Sequence, residues 1–160
     1  MRKILLFAAA LVFAFGTFLA SCAAQAKSPS RTAQVGPYSV TLKVLPAESF
    51  AGGHSAMEWD GGAKPHLLNQ APHPNHHMVI FVKKQGKPVE KASVSISYRR
   101  MEDQSQEWTT LPVARMYVRG EGRGTTHYGN NVLLTPGNYV IRVMIGDTEP
   151  HLFHIRINKH

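Results

Sequence analysis

Nine histidines and six methionines are spread along the chain, and one histidine stands in a motif whose neighbours can support a binding site. His127 is followed by Tyr128, Gly129, Asn130 and Asn131. Glycine accepts positive φ without strain, and asparagine tolerates it better than most residues, so the backbone can turn closely around a ligand here. Because imidazole is a common ligand for transition metals, the motif predicts a metal site around His127, completed by other histidines.

A second concentration of metal-binding side chains lies in and just after segment 47–75. Glycines and prolines punctuate this segment, which is too long for an ordinary connection, and such loops tend to be functional or disordered. Its imidazole and thioether side chains are those of His54, Met57, His66, His73, His76 and His77. Two interpretations stay open: a solvated insert that happens to contain histidine, or a site or entry funnel for copper or a neighbouring transition metal.

Strand alternation separates adjacent histidines. Successive side chains of a strand point to opposite faces, so only one of His76 and His77 can face a given side of their strand. The same alternation separates His151 from His154 in the last strand, and it places His151 near the edge of the core.

No enzyme class is supported by the residues. The chain has no Gly-x-Ser-x-Gly elbow, His-Glu-x-x-His motif, P-loop or dinucleotide fingerprint. Its only cysteine, Cys22, lies near the N-terminus, and the adjacent carboxylates Glu102 and Asp103 fit a solvated loop. We therefore expect a binding protein and no catalysis.

The motif and the strand after it also resemble a known family. His127-Tyr128-Gly129-x-Asn131, followed by an apolar strand, a turn and Gly137-Asn138-Tyr139-Val140-Ile141, is similar to the periplasmic iron-transport-associated (Tpd-like) family. Members of that family are exported β-sandwich proteins. In them the histidine of this motif binds a metal together with a methionine of the preceding strand and two further histidines. The resemblance covers about residues 76 to 157.

Carried over position by position, the resemblance implies a metal site formed by His76, His127, His151 and Met116. The family's Met-Pro-Met falls on Leu111-Pro112-Val113, so Met116 takes the place of its ligand, and His154 is an alternative to His151. The family implies a role beside iron uptake, whereas mixed imidazole and thioether ligation suits copper. Copper and ferrous iron both stay open, and so do ligands from His77 or the 54–73 loop.

The segments that position these residues are predicted to be β-strands. Apolar and polar residues alternate from Tyr38 to Val44, and Pro46 ends this strand because proline cannot donate to the ladder. Met78–Val82 is a nearly all-apolar run, as expected of a central strand covered on both faces. Further alternating segments follow, separated by turn residues, and no amphipathic helix of useful length occurs. About seven strands at short spacing predict an immunoglobulin-like antiparallel β-sandwich over residues 36–160.

The N-terminal region predicts export. Residues 1–22 have the positive start and apolar run of a signal peptide. They end in Leu19-Ala20-Ser21-Cys22, which resembles a bacterial lipobox and predicts a lipid on Cys22, whereas Ala26 offers an ordinary cleavage site. Residues 23–35 show no periodicity and predict a flexible tether.

Together these features predict a periplasmic, lipid-anchored protein that binds copper or ferrous iron and delivers it to an inner-membrane transporter. The net charge of +8 would raise nucleic acid as a partner, but export removes that option and leaves anionic surfaces. The alternative is a metal-free interaction or envelope-structural module with incidental histidines. A homodimer is left open.

Overall fold

A computed structural model of the protein describes residues 28–50, 57–102 and 107–159, so the predicted signal peptide and Cys22 lie outside the described residues. Within them the chain forms a 3-10 turn at Arg123–Thr125 and eleven strands. The strands are Ser30–Val35 (β1), Tyr38–Pro46 (β2), Met57–Gly62 (β3), His76–Lys84 (β4), Lys87–Pro88 (β5), Val94–Arg100 (β6), Thr109–Leu111 (β7), Ala114–Val118 (β8), His127–Val132 (β9), Gly137–Ile145 (β10) and His151–Ile157 (β11). None of the described helical segments has the length and hydrophobicity to cross a bilayer.

The strands pair into two antiparallel sheets. The first sheet has the order β1-β2-β4-β9-β8-β3, with β5 added beside β4, and the second has the order β11-β10-β6-β7. The nearly all-apolar strand β4 lies inside the first sheet, as its sequence predicts. The predicted immunoglobulin-like antiparallel β-sandwich is thus confirmed in its two-sheet architecture, with eleven described strands in place of about seven.

The core fills the space between the two sheets. Alternate residues of the long strands face inward, and burying each aliphatic side chain contributes about 1.5–3 kcal/mol. The inward residues include Val40, Leu42, Met78 and Ile80 of the first sheet and Ile96, Ile141, Val143, Phe153 and Ile155 of the second. Tyr128 of β9 joins this core, and its hydroxyl donates a hydrogen bond of 2.6 Å to the Val89 carbonyl. This contact ties β9 to the connection between β5 and β6.

Two segments that the sequence predicts to be irregular contain strands. β1 pairs with β2 along its whole length, so the predicted 23–35 tether is wrong over Ser30–Val35, and the sandwich begins before Gly36. β3 pairs with β8 inside the predicted 47–75 loop. Both are edge strands of largely polar sequence, and the backbone ladder to one neighbour forms them where hydrophobic alternation gives no signal.

The first sheet also buries part of its outer face, the face turned away from the core. Val79, Ala114 and Met116 form a small apolar cluster there, with Leu45, Phe50 and Phe81 packed against it. Because both faces of β4 are covered, a polar side chain on either face of this strand is forced out of water.

Candidate functional site

Two histidines meet on the outer face of the first sheet. In the β4–β9 ladder His77 is the cross-strand partner of Asn131, and Val79 is the partner of Gly129. Residues two apart share a face, so His77 and His127 lie on the same side of the sheet. Their ring centroids are 6.0 Å apart with the ring planes at 89°, and the residues are 0% and 1% exposed. The fold thus places two imidazoles side by side out of contact with water.

Hydrogen bonds fix which ring nitrogen of each histidine carries the proton. The Nδ1 atom of His127 lies 3.0 Å from the Thr125 carbonyl oxygen, and that of His77 lies 3.0 Å from Oδ1 of Asn131. The Asn131 amide is oriented by its nitrogen, which donates to the carbonyls of Glu48 at 2.7 Å and His66 at 2.8 Å. Because both acceptors are carbonyl-type oxygens, each Nδ1 is protonated and each Nε2 carries a lone pair.

The two Nε2 atoms are buried and have no hydrogen-bond partner among the described residues. A buried polar atom without a partner costs about 1–3 kcal/mol, and most such atoms in native proteins are satisfied. Two of them in one pocket therefore call for an explanation. A metal ion is a Lewis acid that can accept both lone pairs, so the arrangement fits metal binding.

Met116 lies beside this histidine pair. It is the cross-strand partner of His127 in the β8–β9 ladder and is 0% exposed. Directly opposite residues in an antiparallel pair have Cβ atoms about 4.5–5.5 Å apart, which brings the thioether within reach of the His127 ring. Phe50 packs on His77 with ring centroids 5.6 Å apart, and Phe81 packs on His127 at 5.3 Å. The pocket therefore combines two imidazoles and a thioether inside aromatic walls.

Burial keeps both imidazoles neutral at pH 7. Desolvation lowers the pKa of His77 to about 4, and a positive charge on His127 would lower it further, whereas the Asn131 hydrogen bond opposes the shift. Desolvation also lowers the pKa of His127, against the Thr125 hydrogen bond. Neutral imidazole is the form that binds metals, so no proton has to be displaced near neutral pH.

These shifts predict that the metal-free fold loses stability in mild acid. The unfolded His77 has a pKa near 6.5 and the folded one near 4, so the stability is fully present above pH 6.5. As the pH falls from 6.5 towards 4 the unfolded chain binds a proton that the folded chain excludes, and roughly 3 kcal/mol is lost. His127 acts in the same direction.

Urea denaturation across this pH range, with a chelator present, measures the effect. His77→Asn is the matched variant, since its amide nitrogen can take over the hydrogen bond of Nδ1 without titrating. Its stability should fall less steeply between pH 6.5 and 4. An identical slope in both proteins would show that His77 is not the group responsible.

The four ligands predicted from sequence do not come together. His127 and Met116 are neighbours, but His76 faces the other side of β4, and its Nδ1 donates 2.7 Å to Oδ1 of Asn75. His151 lies in β11 of the second sheet, where its ring packs 4.7 Å from that of Phe153. His76 and His151 therefore lie apart from His127, because strand parity and sheet assignment separate them.

The ligand set predicted from sequence contains His76, whereas His77 is the histidine of β4 that lies beside His127. The apolar run after His77 indicates that both faces of β4 are covered, so the sequence allows either histidine to be buried and favours neither. Deciding between them requires the register between β4 and β9, which no local pattern fixes.

Two other histidines that the sequence offered do not join the site. His154 is exposed on the second sheet, and His54 lies outside the described residues.

Asn130 and Asn131 bind the backbone of Glu48, Lys64 and His66 beside the site. The amide nitrogen of Asn130 donates to the Lys64 and Pro112 carbonyls at 3.0 and 2.9 Å, and its oxygen accepts the His66 N–H at 2.6 Å. Together with Asn131 it supplies the loop hydrogen bonds expected from the motif. A cleft of about 510 Å³, lined by Trp59, His66, both asparagines and others, opens beside them.

Comparisons with known proteins give a distant structural similarity. No protein-family model matches the chain, and no curated protein is significantly similar to it. Among solved structures, it is similar to a DUF4426 family protein from Pseudomonas aeruginosa PAO1, at 15% identity and a TM-score of 0.47. That similarity covers 82% of this chain and 96% of the other.

Within residues 28–50, 57–102 and 107–159 no group of three or more His, Cys, Asp or Glu side chains is arranged to hold a metal. The candidate site consists of the three side chains that meet on the outer face of the first sheet, His77, His127 and Met116, and we call it the His-His-Met pocket.

Proposed function

We propose that this protein binds a soft transition-metal ion, Cu(I) in the first place, in its His-His-Met pocket, and that it handles this ion in the bacterial envelope. One observation carries the proposal. The Nε2 lone pairs of His77 and His127 are buried in one pocket without a described hydrogen-bond partner, while each Nδ1 is held by a carbonyl-type oxygen. Histidine ligands of metals are typically oriented by such a bond from their second nitrogen.

The spacing of the rings fits a shared ion. Two imidazoles that each bind a metal at about 2.0–2.1 Å have ring centroids roughly 5–6 Å apart, close to the 6.0 Å between His77 and His127. Thioether sulfur is a soft ligand that selects Cu(I) over harder ions, so Met116 favours copper over ferrous iron. The cleft beside the site is lined by Asn131, whose side-chain oxygen accepts the hydrogen bond from His77.

The experiment is a competition titration of the tag-free chain from residue 23, which contains every described residue, with Cu(I) and separately with Fe(II) under anaerobic conditions. We expect one equivalent of Cu(I) to bind and to raise the melting temperature. An ion at about a thousandfold excess over its Kd stabilises the fold by about 4 kcal/mol. Absence of stoichiometric binding by either ion would favour the metal-free interaction or structural module.

The envelope location rests on the N-terminal sequence. Leu19-Ala20-Ser21-Cys22 has the lipobox pattern, so we expect a fatty acid on Cys22 and, as the resemblance implies, delivery of the ion to a membrane transporter. Labelling cells with a fatty acid analogue should mark the wild-type protein and leave Cys22→Ala unmarked. An unlabelled wild type would contradict the lipid anchor and leave Ala26 as the cleavage site.

A further inference from the structure

The second sheet carries positive charge and no described carboxylate in its strands. β6, β7, β10 and β11 contain no Asp or Glu, whereas they contain four arginines. Three of these are on the outer face: Arg99 is the cross-strand partner of Val140, Arg142 of Leu152, and Arg156 of Asn138. None of the three forms an ion pair with a described residue. Unpaired guanidinium groups on one sheet face create a local positive potential.

Two of these guanidinium groups are held in place by an aromatic ring. Arg99 and Arg142 lie 4.7 and 4.5 Å from the centre of the Trp108 ring. Nε of Arg142 also donates 3.0 Å to the Ser97 hydroxyl. Such stacking leaves the guanidinium edges available to bind phosphate oxygens, which arginine contacts in a bidentate geometry.

Apolar side chains are exposed among these charges. Leu152 and Met101 are 47% and 44% exposed. With Val140 and His154 they line a shallow cavity of about 380 Å³ beside Arg99. We call this surface, made by Arg99, Arg142, Arg156, His154, Leu152 and Met101, the basic face. A mixture of arginine and exposed aliphatic groups matches a surface that presents phosphates above hydrocarbon.

The start of the described chain lies at the border of the same surface. Ser28, Pro29 and Ser30 line a cleft together with Arg156 and Asn158. Cys22, the proposed lipid site, is six residues before Ser28, and six residues can span at most roughly 20 Å. A lipid on Cys22 would therefore bring this edge of the domain close to the bilayer. This step depends on the lipid anchor of the proposed function, whereas the charge of the basic face does not.

We propose that the basic face docks on the surface of an anionic phospholipid bilayer. The guanidinium groups of Arg99, Arg142 and Arg156 bind lipid phosphates, and Leu152 and Met101 enter the boundary between head groups and chains. The His-His-Met pocket is on the opposite sheet, so membrane binding and metal binding can be measured separately, and the failure of one leaves the other standing.

Vesicle sedimentation of the unlipidated chain from residue 23 tests the docking. We expect binding to phosphatidylcholine vesicles that contain phosphatidylglycerol, none to phosphatidylcholine alone, and weaker binding as salt is raised. Each arginine near an anionic surface contributes about fivefold, so the triple Arg99→Gln, Arg142→Gln and Arg156→Gln variant should lose about a hundredfold. Arg156→Gln alone, which leaves the Trp108 stack intact, should lose about fivefold.

The control removes the same charge elsewhere, through Lys83→Gln, Lys87→Gln and Lys91→Gln, all at exposed positions near β5. This triple variant should keep most of the binding. Equal losses in both triple variants would show unspecific attraction and overturn the assignment of the face. Absence of wild-type binding to the anionic vesicles would also overturn it, and binding to polyglutamate in that case would indicate an acidic protein partner instead.

Discussion

Stoichiometric copper binding should disappear when either His77 or His127 is replaced by alanine. Each variant removes one of the two buried Nε2 lone pairs of the neighbouring imidazoles. Loss of a group that only orients a ligand already lowers metal affinity by about 10–100-fold, so loss of a ligand itself should exceed the upper end of that range. Calorimetric titration of the tag-free chain with Cu(I), checked by thermal melting to establish folding, measures the effect.

Three other histidines serve as controls for this experiment. His66→Ala and His73→Ala change residues of the connection between β3 and β4, and we expect little effect on copper affinity. His151→Ala removes a ligand implied by the family resemblance but located in the second sheet, so it too should leave binding intact. Loss of binding in His151→Ala with unchanged affinity in His77→Ala would refute the His-His-Met pocket and restore the ligand set implied by the resemblance.

The largest effect on stability is expected for Gly129→Ala. A Cβ atom on Gly129 would lie 2.0 Å from the Met78 carbonyl oxygen and 2.8 Å from the Val79 Cα. Both contacts are to the backbone of β4, which is held by strands on either side and cannot retreat without breaking its ladder. We expect a loss of more than about 4 kcal/mol, a large part of the stability of a typical domain.

Gly124→Ala is the matched control. A Cβ atom there meets nothing within 4 Å, and its φ lies outside the left-handed region. Urea denaturation should place Gly124→Ala within about 0.5 kcal/mol of the wild type. Recovery of Gly129→Ala only as insoluble protein would agree with the expectation, whereas a soluble variant as stable as Gly124→Ala would contradict it.

The sequence predicts the parts of the fold in which hydrophobic pattern decides structure. β2, β4 and β10 bury alternate or continuous apolar residues, and the pattern identifies all three. The hydrophobic pattern does not identify β1 and β3, because edge strands pair with one neighbour and can be polar over most of their length. Their positions depend on backbone pairing with β2 and β8, which propensity does not record.

The candidate site likewise has a part that the local sequence predicts and a part that it does not. His127, Gly129 and Asn131 belong to one local motif, and the need for a close backbone approach and for loop hydrogen bonds follows from their residue types. The partner from β4 is 50 residues away, and a shift of one residue in register exchanges His76 for His77. The long-range pairing of β4 with β9 decides which of the two histidines lies beside His127, and local sequence reasoning cannot determine it.

The side-chain amide of Asn131 links the backbone of Glu48 and His66 to the His77 ring. Its oxygen accepts hydrogen bonds from the Glu48 N–H and from His77, and its nitrogen donates to the carbonyls of Glu48 and His66. Loss of the contacts with Glu48 and His66 would free the amide to rotate, and the His77 ring would lose the bond that sets its orientation. By thermodynamic reciprocity, any ligand that requires this ring orientation also favours the contacts of Asn131 with Glu48 and His66.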